Sequence, residues 1–297
     1  MTPKYIDLHT HTMYSDGIET PKILVQNLKL NGIDIAAKTD HDTIAGYWEF
    51  KKAADAVGLI TIPGIEFSDR DYHILGLGFN PDDAEFNRLI KKSEYFQRLT
   101  TEQRVELLHE HSIPVSMEKI DFYFPSSRLG KQNIFRTLYN DEECRQWLER
   151  NLPGASPKDV FEYTLRKKGV AAKVPHYYDL ERYEIFDGIH KAGGIAIPAH
   201  LPKDIENINE LDELRYAGAD GFEIQPNFYE DNFDVISYQD VKDYATKHNM
   251  LITYGSDYHG SSMPRSLLGR SFNVLSQDLE ERLFQHDNTD CKEACLK

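Results

Sequence analysis

The amino-acid sequence predicts an α/β fold in which short apolar strands alternate with amphipathic helices. The strand and helix patterns follow each other with short connections, which is typical of parallel strands joined by right-handed crossovers. Side chains of metal-binding types stand at or just past the ends of the strands, where a (β/α) barrel collects its active site. We therefore predict a barrel-like domain with a polar site at one edge.

The first part of the predicted barrel begins with an apolar run, Tyr5 to Leu8. Thr20 and Pro21 follow it with the pattern of a helix N-cap and a proline in the first turn. Asn31 and Gly32 then predict the end of that helix. The next predicted elements are a strand at 33–37, a helix at 45–57 and strands at 59–65 and 73–79.

The pattern changes between about residues 82 and 173, where long, charged helical segments replace the strands. The predicted helices are 84–110, 131–139, 142–152 and 157–168, the last capped by Ser156. We predict a helical insertion at 100–169 over the barrel mouth, and a barrel formed by 1–99 and 170–297. The later predicted elements are helices at 183–192, 208–217 and 237–248, strands at 195–200, 221–225 and 250–254, and a further strand and short helix after residue 270.

Composition limits the classes of partner. The formal charge of −15 disfavours long nucleic acids, because such a surface repels polyanions, but it permits a small phosphorylated substrate. No apolar run is long enough to cross a bilayer, and the N-terminus lacks a signal-peptide pattern, so we expect a cytoplasmic protein. The three cysteines are consistent with that location, and the oligomeric state stays open.

His9 and His11 are one residue apart at the end of the first strand, so an extended backbone projects both rings to the same side. Asp16 follows, and Gly17 permits the turn that returns it toward them. Two histidines at a strand end can equally be satisfied by hydrogen bonds. The number of similar strand ends downstream favours a metal site.

Nine imidazoles and carboxylates share this placement at strand ends or in the turns that follow, more than one metal ion can use. Two or three ions with a bridging carboxylate would use them all, and Glu66 is the natural bridge. Mixed imidazole and carboxylate donors favour Mn²⁺, Fe²⁺ or Zn²⁺ over Ca²⁺. The predicted ligands are His9, His11, Asp16, His41, Glu66, His73, His200, Asp257 and His259.

Such a cluster would attract a phosphate group and supply a metal-activated hydroxide to attack its phosphorus atom. Beside Glu66 we assign catalytic roles to His200 and Asp257, either of which could pass a proton to the leaving oxygen. Asp40 and Asp42 flank His41 and could orient its ring from outside the ligand shell.

Six segments of the chain contain all the predicted ligands except Asp16. They are Asp7–His11, Thr39–Asp42, Pro63–Glu66, His73–Gly76, Pro198–His200 and Gly255–Gly260. Together they resemble the ordered motifs of the PHP (polymerase and histidinol phosphatase) superfamily, within which the chain is most similar to stand-alone phosphoesterases with a helical insertion. The resemblance implies a distorted (β/α)7 TIM-like barrel, a trinuclear metal site and hydrolysis of nucleotide-sized phosphoesters. Some relatives act on nucleoside 3′,5′-bisphosphates or trim short oligonucleotides.

Two segments depart from that resemblance. Relatives often have Gly-Arg-Pro-His at the start of an insertion helix, where this chain has Gly-Lys-Gln-Asn, and Lys lacks the bidentate phosphate geometry of Arg. Where relatives tend to have Val-Pro-Lys, this chain has Val-Pro-His. Our predicted substrate contacts are therefore Lys131, Asn133 and His176, with Arg128, Arg136 and Arg265 as alternatives.

The sequence leaves several readings of the function open. The first is a metal-dependent phosphatase or phosphodiesterase that acts on a nucleoside mono- or bisphosphate or a short oligonucleotide. The alternatives are a histidinol-phosphate-type phosphatase, an amidohydrolase-like C–N hydrolase, or a metal-stabilised binding module. An amidohydrolase would normally need two metals and leave Asp16 and His73 unused, and a decayed module would have lost ligands.

Overall fold

A computed structural model describes residues 4–69, 71–166, 168–172, 174, 180–225, 235–260 and 274–284. The chain divides into two compact units, one formed by Met1–Lys91 and Leu180–Lys297 and the other by Lys92–Asp179. The predicted insertion, 100–169, lies within the second unit. Its placement over the barrel mouth stays a prediction.

The first unit is α/β, as predicted. Its strands form a five-stranded sheet in the order β1-β2-β3-β4-β5 and a two-stranded sheet, β6-β7. Two backbone hydrogen bonds link these sheets, from Leu8 N to Tyr254 O and from Asp220 N to Ala196 O. The strands are β1 (Ile6–Asp7), β2 (Ile35–Lys38), β3 (Ile60–Ser68), β4 (His73–Leu77), β5 (Ile195–Ala199), β6 (Gly221–Ile224) and β7 (Leu251–Tyr254).

The prediction of parallel strands throughout is wrong for β4. This strand pairs antiparallel with both β3 and β5, whereas β1-β2, β2-β3 and β6-β7 are parallel. The cause is the short connection between Ser68 and His73, which has no room for a crossover helix. In the turn, the backbone amides of Asp71 and Tyr72 both donate to Asp69 Oδ1, which closes a hairpin.

Most predicted helices are present within a few residues of their expected ends. Thr20 caps the first helix, with its hydroxyl accepting from Ile23 N, and Ser156 caps another as predicted. The helix at 117–123 was not predicted. The helices are α1 (Pro21–Leu30), α2 (Tyr47–Asp55), α3 (Ala84–Glu110), α4 (Met117–Tyr123), α5 (Lys131–Asn140), α6 (Glu142–Asn151), α7 (Pro157–Thr164), α8 (Arg182–Lys191), α9 (Glu210–Ala217), α10 (Tyr238–Lys247) and α11 (Gln277–Leu283).

An apolar core supports the sheet of the first unit. Ile6, Leu75 and Ile197 pack together with Leu279 and Leu283 of α11. Residues 271–273, where the strand after residue 270 would begin, lie outside the described residues. Of that predicted strand the structure describes an isolated bridge between Tyr5 and Val274.

The second unit is helical and has a core of its own. Leu108, Ile113, Ile134 and Leu138 are buried in it together with Cys144, a free thiol. Helix α3 begins in the first unit and ends in the second. Within the described part of the chain, no helix combines the length and apolar character that a membrane span requires.

Candidate metal centre

The structure brings all nine predicted ligand side chains together, although they are spread over most of the chain. Three groups of them have donor atoms that lie within 4.8 Å of one another. The groups are His11, Asp16, His41 and His259; His9, His11 and Asp257; and His41, Glu66 and His73. His200 joins through its Nε2 atom, 3.1 Å from His73 Nδ1.

Glu66 lies at the middle of the cluster, as its assignment as the bridging carboxylate requires. Its Oε1 atom is 2.9 Å from His73 Nδ1 and 3.2 Å from His200 Nε2. Its Oε2 atom is 3.0 Å from His41 Nδ1, 3.2 Å from His11 Nε2 and 3.3 Å from His9 Nε2. The two oxygens of one buried carboxylate therefore face two different sets of imidazoles.

Two further carboxylates, Asp257 and Asp16, also approach imidazoles of the cluster. Asp257 Oδ1 lies 3.3 Å from His11 Nε2 and 3.4 Å from His9 Nε2. Asp16 Oδ1 lies 3.2 Å from His259 Nε2, and Asp16 Oδ2 lies 3.7 Å from His41 Nε2. Each carboxylate approaches three histidines, because Asp257 Oδ1 also lies 3.6 Å from His259 Nδ1 and Asp16 Oδ1 lies 3.6 Å from His11 Nδ1. Such contacts suit donors that share ions.

The contacts within the cluster fit metal ligands better than a hydrogen-bonded core. Glu66 Oε2, His11 Nδ1 and His41 Nδ1 are buried and make no hydrogen bond of suitable geometry, although Glu66 Oε2 lies 3.0 Å from His41 Nδ1. Buried polar atoms rarely lack a hydrogen bond. The mixed imidazole and carboxylate donors suit transition-metal ions. Divalent ions at the three groups would use these donor atoms.

The backbone near the cluster is strained. His200 has φ +40° and Asp257 has φ +55°, in the left-handed region that residues other than glycine rarely adopt. Asp42, next to His41, has φ +50°. Strain of this kind persists where surrounding contacts hold it, and it concentrates at functional sites.

The buried acidic and basic groups of the cluster shift one another's pKa values. Burial opposes ionisation of Glu66, but His41, His9 and His73 outweigh it and hold the carboxyl pKa well below its usual range. Burial also opposes the charged form of His11, yet Asp257 and Glu66 raise its pKa to about 10. Burial and neighbouring imidazoles instead lower the pKa of His41 to about 3, against the pull of Glu66 and Asp16.

The cluster has a closed side and an open side. The side chains of His9 and His11 are fully buried, and that of Glu66 is 1% exposed. Asp257 is 21% exposed and His73 is 37% exposed. Burial therefore varies across the cluster, and Asp257 and His73 are more exposed than His9, His11 and Glu66.

Asp40 and Asp42 act on the turns that carry ligands. Asp40 is buried and accepts hydrogen bonds from Lys38 Nζ at 2.6 Å, from the Thr12 amide and hydroxyl at 2.7 and 2.5 Å, and from Ser15 Oγ at 2.5 Å. These hydrogen bonds fix the segment that leads to Asp16. None of them reaches the His41 ring, which Asp40 was predicted to orient. Asp42 accepts from the amide and hydroxyl of Ser68 at 3.0 Å each.

Two carboxylates that were not among the predicted site residues contact histidines of the cluster. Glu223 Oε1 lies 2.7 Å from His9 Nδ1, and Asp204 Oδ2 lies 2.9 Å from His200 Nδ1. Glu223 does stand at a strand end, but carboxylates there often only anchor a loop. Asp204 follows a short 3₁₀ turn and carries no distinguishing sequence pattern.

Two of the predicted substrate contacts, Lys131 and Asn133, belong to the second unit. Lys131 begins α5 in the second unit and is exposed. Asn133 is 1% exposed; its Oδ1 accepts from the Gly130 amide at 2.8 Å, and its Nδ2 donates to Ser127 Oγ at 3.1 Å. Its amide thus caps α5. His176 lies outside the described residues, and the three substrate roles stay predictions.

The fold and the cluster define an α/β metal-binding hydrolase. The sequence pattern of the PHP domain family matches residues 7–152. A 5′-3′ exoribonuclease of Haemophilus influenzae is 30% identical over 204 residues, which cover 67% of this chain and 69% of that protein. The chain belongs to the PHP domain family.

Two further comparisons extend over more of the chain. A phosphoribosyl 1,2-cyclic phosphate 1,2-diphosphodiesterase of Eggerthella lenta is 24% identical over 261 residues, covering 86% of this chain and 94% of that protein. A crystal structure of a proposed metal-dependent phosphoesterase from Bifidobacterium adolescentis superposes with a TM-score of 0.74 and 24% identity, covering 95% of this chain and 97% of that one. The latter likeness concerns the fold alone.

Proposed function

We propose that this chain hydrolyses a phosphoester of a nucleotide-sized substrate, either a nucleoside mono- or bisphosphate or a short oligonucleotide. The chain acts on phosphoric ester bonds as a metal-dependent hydrolase of the PHP family. The observation that carries the proposal is the approach of five histidines to the two oxygens of Glu66, in a cluster of nine donors. The relatives named as an exoribonuclease and a cyclic-phosphate diphosphodiesterase support a nucleotide-like substrate.

Divalent ions, when bound, supply positive charge for the phosphate oxygens and acidify water. We propose two or three ions, of Mn²⁺, Fe²⁺ or Zn²⁺. Glu66 would hold neighbouring donor groups at a fixed separation, because each of its oxygens faces different histidines. His200 and Asp257 are our candidates for moving a proton toward the leaving oxygen. The buried His9 and His11 would exclude water from the closed side.

The location of substrate recognition is part of the proposal. We propose that Lys131, Asn133 and His176 contact the substrate and that the segment 100–169 covers a seven-stranded, distorted barrel. The hydrogen bonds Leu8 N to Tyr254 O and Asp220 N to Ala196 O support such a barrel, since they join the two sheets at both edges. A cytoplasmic location stays a prediction.

A substrate panel tests the proposal. Purified protein is loaded separately with Mn²⁺, Fe²⁺ and Zn²⁺, and its metal content is measured. Phosphate release or product formation is then followed with adenosine monophosphate, adenosine 3′,5′-bisphosphate, a 5′-phosphorylated oligoribonucleotide, histidinol phosphate, and one amide and one lactone. The Glu66→Gln variant serves as the inactive control.

Turnover of a nucleotide or oligonucleotide, at a rate at least about tenfold above histidinol phosphate, supports the proposal. Preferred turnover of histidinol phosphate would instead favour the alternative of a histidinol-phosphate-type phosphatase. Hydrolysis of the amide or lactone without any phosphate release would reject the proposed reaction class.

A further inference from the structure

The fully buried carboxylate of Glu223 joins two parts of the metal centre. It stands in β6, and its Oε1 atom lies 2.7 Å from His9 Nδ1. Its Oε2 atom accepts a hydrogen bond of 3.0 Å from the backbone amide of His200. One side chain outside the ligand set thus contacts a predicted ligand that follows β1 and one that follows β5.

The contact with His9 selects the form of its ring. A neutral imidazole has one nitrogen that donates and one that accepts, and a carboxylate can only accept. His9 Nδ1 must therefore carry the proton in the bond to Glu223, which leaves the lone pair on Nε2. That atom faces the cluster, 3.3 Å from Glu66 Oε2 and 3.4 Å from Asp257 Oδ1.

The contact with His200 stabilises a conformation that the chain would otherwise avoid. His200 has φ +40° and ψ +33°, and its amide points to Glu223 Oε2. Asp204 adds to this by binding the ring, since its Oδ2 atom lies 2.9 Å from His200 Nδ1. The Nε2 atom of His200 then faces Glu66 Oε1 at 3.2 Å.

Gly255 lies against His9 and Glu223, and its lack of a side chain leaves room for their contact. A Cβ atom on Gly255 would lie 2.2 Å from His9 Cβ and 2.3 Å from Glu223 Oε1. Any larger residue at position 255 would thus displace both partners. The close contact of the segments that contain His9, Glu223 and Gly255 therefore depends on a glycine at position 255.

We infer that Glu223 is a positioning residue of the metal centre. It fixes the metal-binding tautomer of His9 and the backbone turn at His200. Asp204 is a weaker partner, which contacts the His200 ring. Carboxylates that bind the second nitrogen of a metal-ligating histidine commonly have this effect. Asp204 is the weaker partner because its side chain is 35% exposed and contacts the ring alone. The inference depends on the metal site and not on the identity of the substrate.

The variant Glu223→Gln separates this role from simple space filling. An amide of the same shape has one accepting and one donating end, whereas the site requires two acceptors. The variant must therefore lose either the bond to His9 Nδ1 or the bond to the His200 amide. The matched control is Glu213→Gln, which removes the same charge from an exposed position on α9.

Zn²⁺ is the probe, and its affinity is measured by competition with a chromogenic chelator in the absence of any substrate. We expect Glu223→Gln to bind Zn²⁺ about 10- to 100-fold more weakly than the wild type, Asp204→Asn to lose less, and Glu213→Gln to be unchanged. Affinity of Glu223→Gln within about twofold of the wild type, with only a lower melting temperature, would reduce Glu223 to a packing role. Because no substrate is present, this outcome is independent of the proposed hydrolysis.

A measurement on the unaltered chain covers the case in which Glu223→Gln does not fold. Imidazole ¹⁵N shifts of the Zn²⁺-loaded wild type report which ring nitrogen carries the proton. We expect the proton of His9 on Nδ1 and the metal on Nε2. Metal on Nδ1 of His9 would overturn the inference.

Discussion

Lys38 Nζ lies 2.6 Å from Asp40 Oδ2, and neither side chain has any exposed surface. Removing one partner of a fully buried ion pair leaves an uncompensated charge. We expect Asp40→Asn to lower the free energy of unfolding by about 3–5 kcal/mol, measured by denaturant titration of the metal-free protein. The double variant Lys38→Met/Asp40→Asn should recover part of the loss, because no charge is then buried. Equal midpoints for Asp40→Asn and the wild type would contradict this account.

Glu66→Gln should abolish turnover without unfolding the chain. The amide keeps the shape of the side chain, but one of its ends no longer offers a lone pair to the imidazoles that it faces. We expect phosphate release to fall by more than about 100-fold, with an unchanged far-ultraviolet circular dichroism spectrum. The control is Glu206→Gln, at an exposed position. Unchanged turnover in Glu66→Gln would refute the bridging assignment.

Divalent ions should stabilise the fold. The donors are held close together by the folded chain, so ions bind the folded state in preference to the unfolded chain. At a free concentration about 100 times the Kd, each ion adds about 2.7 kcal/mol, which corresponds to a rise in melting temperature of roughly 5–10 °C. Thermal unfolding with a chelator, and after re-addition of Mn²⁺ or Zn²⁺, measures the effect. Identical melting curves would argue against ion binding at the cluster.

Gly255→Ala should disturb the metal centre through steric overlap. The added Cβ would meet His9 Cβ at 2.2 Å and Glu223 Oε1 at 2.3 Å. We expect a destabilisation of about 1–3 kcal/mol together with weaker Zn²⁺ binding. In the comparison variant Gly154→Ala the new methyl group meets open space, although φ is +77°. Gly154→Ala should lose only the stability that the strained backbone costs, and its Zn²⁺ affinity should match that of the wild type. If Gly255→Ala also binds Zn²⁺ as tightly as the wild type, the predicted steric overlap is wrong.

The pair His190–Asp220 should make stability depend on pH. His190 Nε2 lies 2.8 Å from Asp220 Oδ2, and this hydrogen bond raises the pKa of the imidazole against the effect of burial. A raised pKa in the folded state contributes stability that is complete below the ordinary value of 6.5 and is lost as pH rises through the folded value.

His190→Gln should therefore cost more stability near pH 6 than near pH 9. The side chain of His190 is 39% exposed, so we expect a difference of only about 0.2–1 kcal/mol after solvent screening. Denaturant titrations of both proteins at the two pH values measure it. Equal costs at both values would show that the pair does not titrate as described.

The sequence was sufficient to identify the nine clustered side chains because each stands next to a local pattern, a strand end or a tight turn. It did not identify Glu223, because the partner that gives this residue its role is His9, 214 positions away. The role of Asp40 was misjudged for a similar reason. Its proximity in sequence suggested His41, whereas its hydrogen bonds go to Lys38, Thr12 and Ser15.

The antiparallel direction of β4 could have been found from chain length. The predicted strands 59–65 and 73–79 leave roughly seven residues between them, whereas a parallel crossover needs about a dozen. Strand β3 extends to Ser68, so the connection before His73 is shorter still. The apolar pattern identifies both strands but not their relative direction, which the length of the connection indicates.

The reversed direction of β4 gives the cluster one ligand at the beginning of a strand. His73 pairs with Ser68 across the hairpin, and Glu66 pairs with Leu75, so the register of these two strands sets the distance between both ligands. A slip of one residue would turn His73 toward the opposite face of the sheet. Substitutions within this connection are thus compatible with an intact cluster. A shift of the pairing by a single position would instead remove His73 from the cluster, although none of the nine clustered residues would have been replaced.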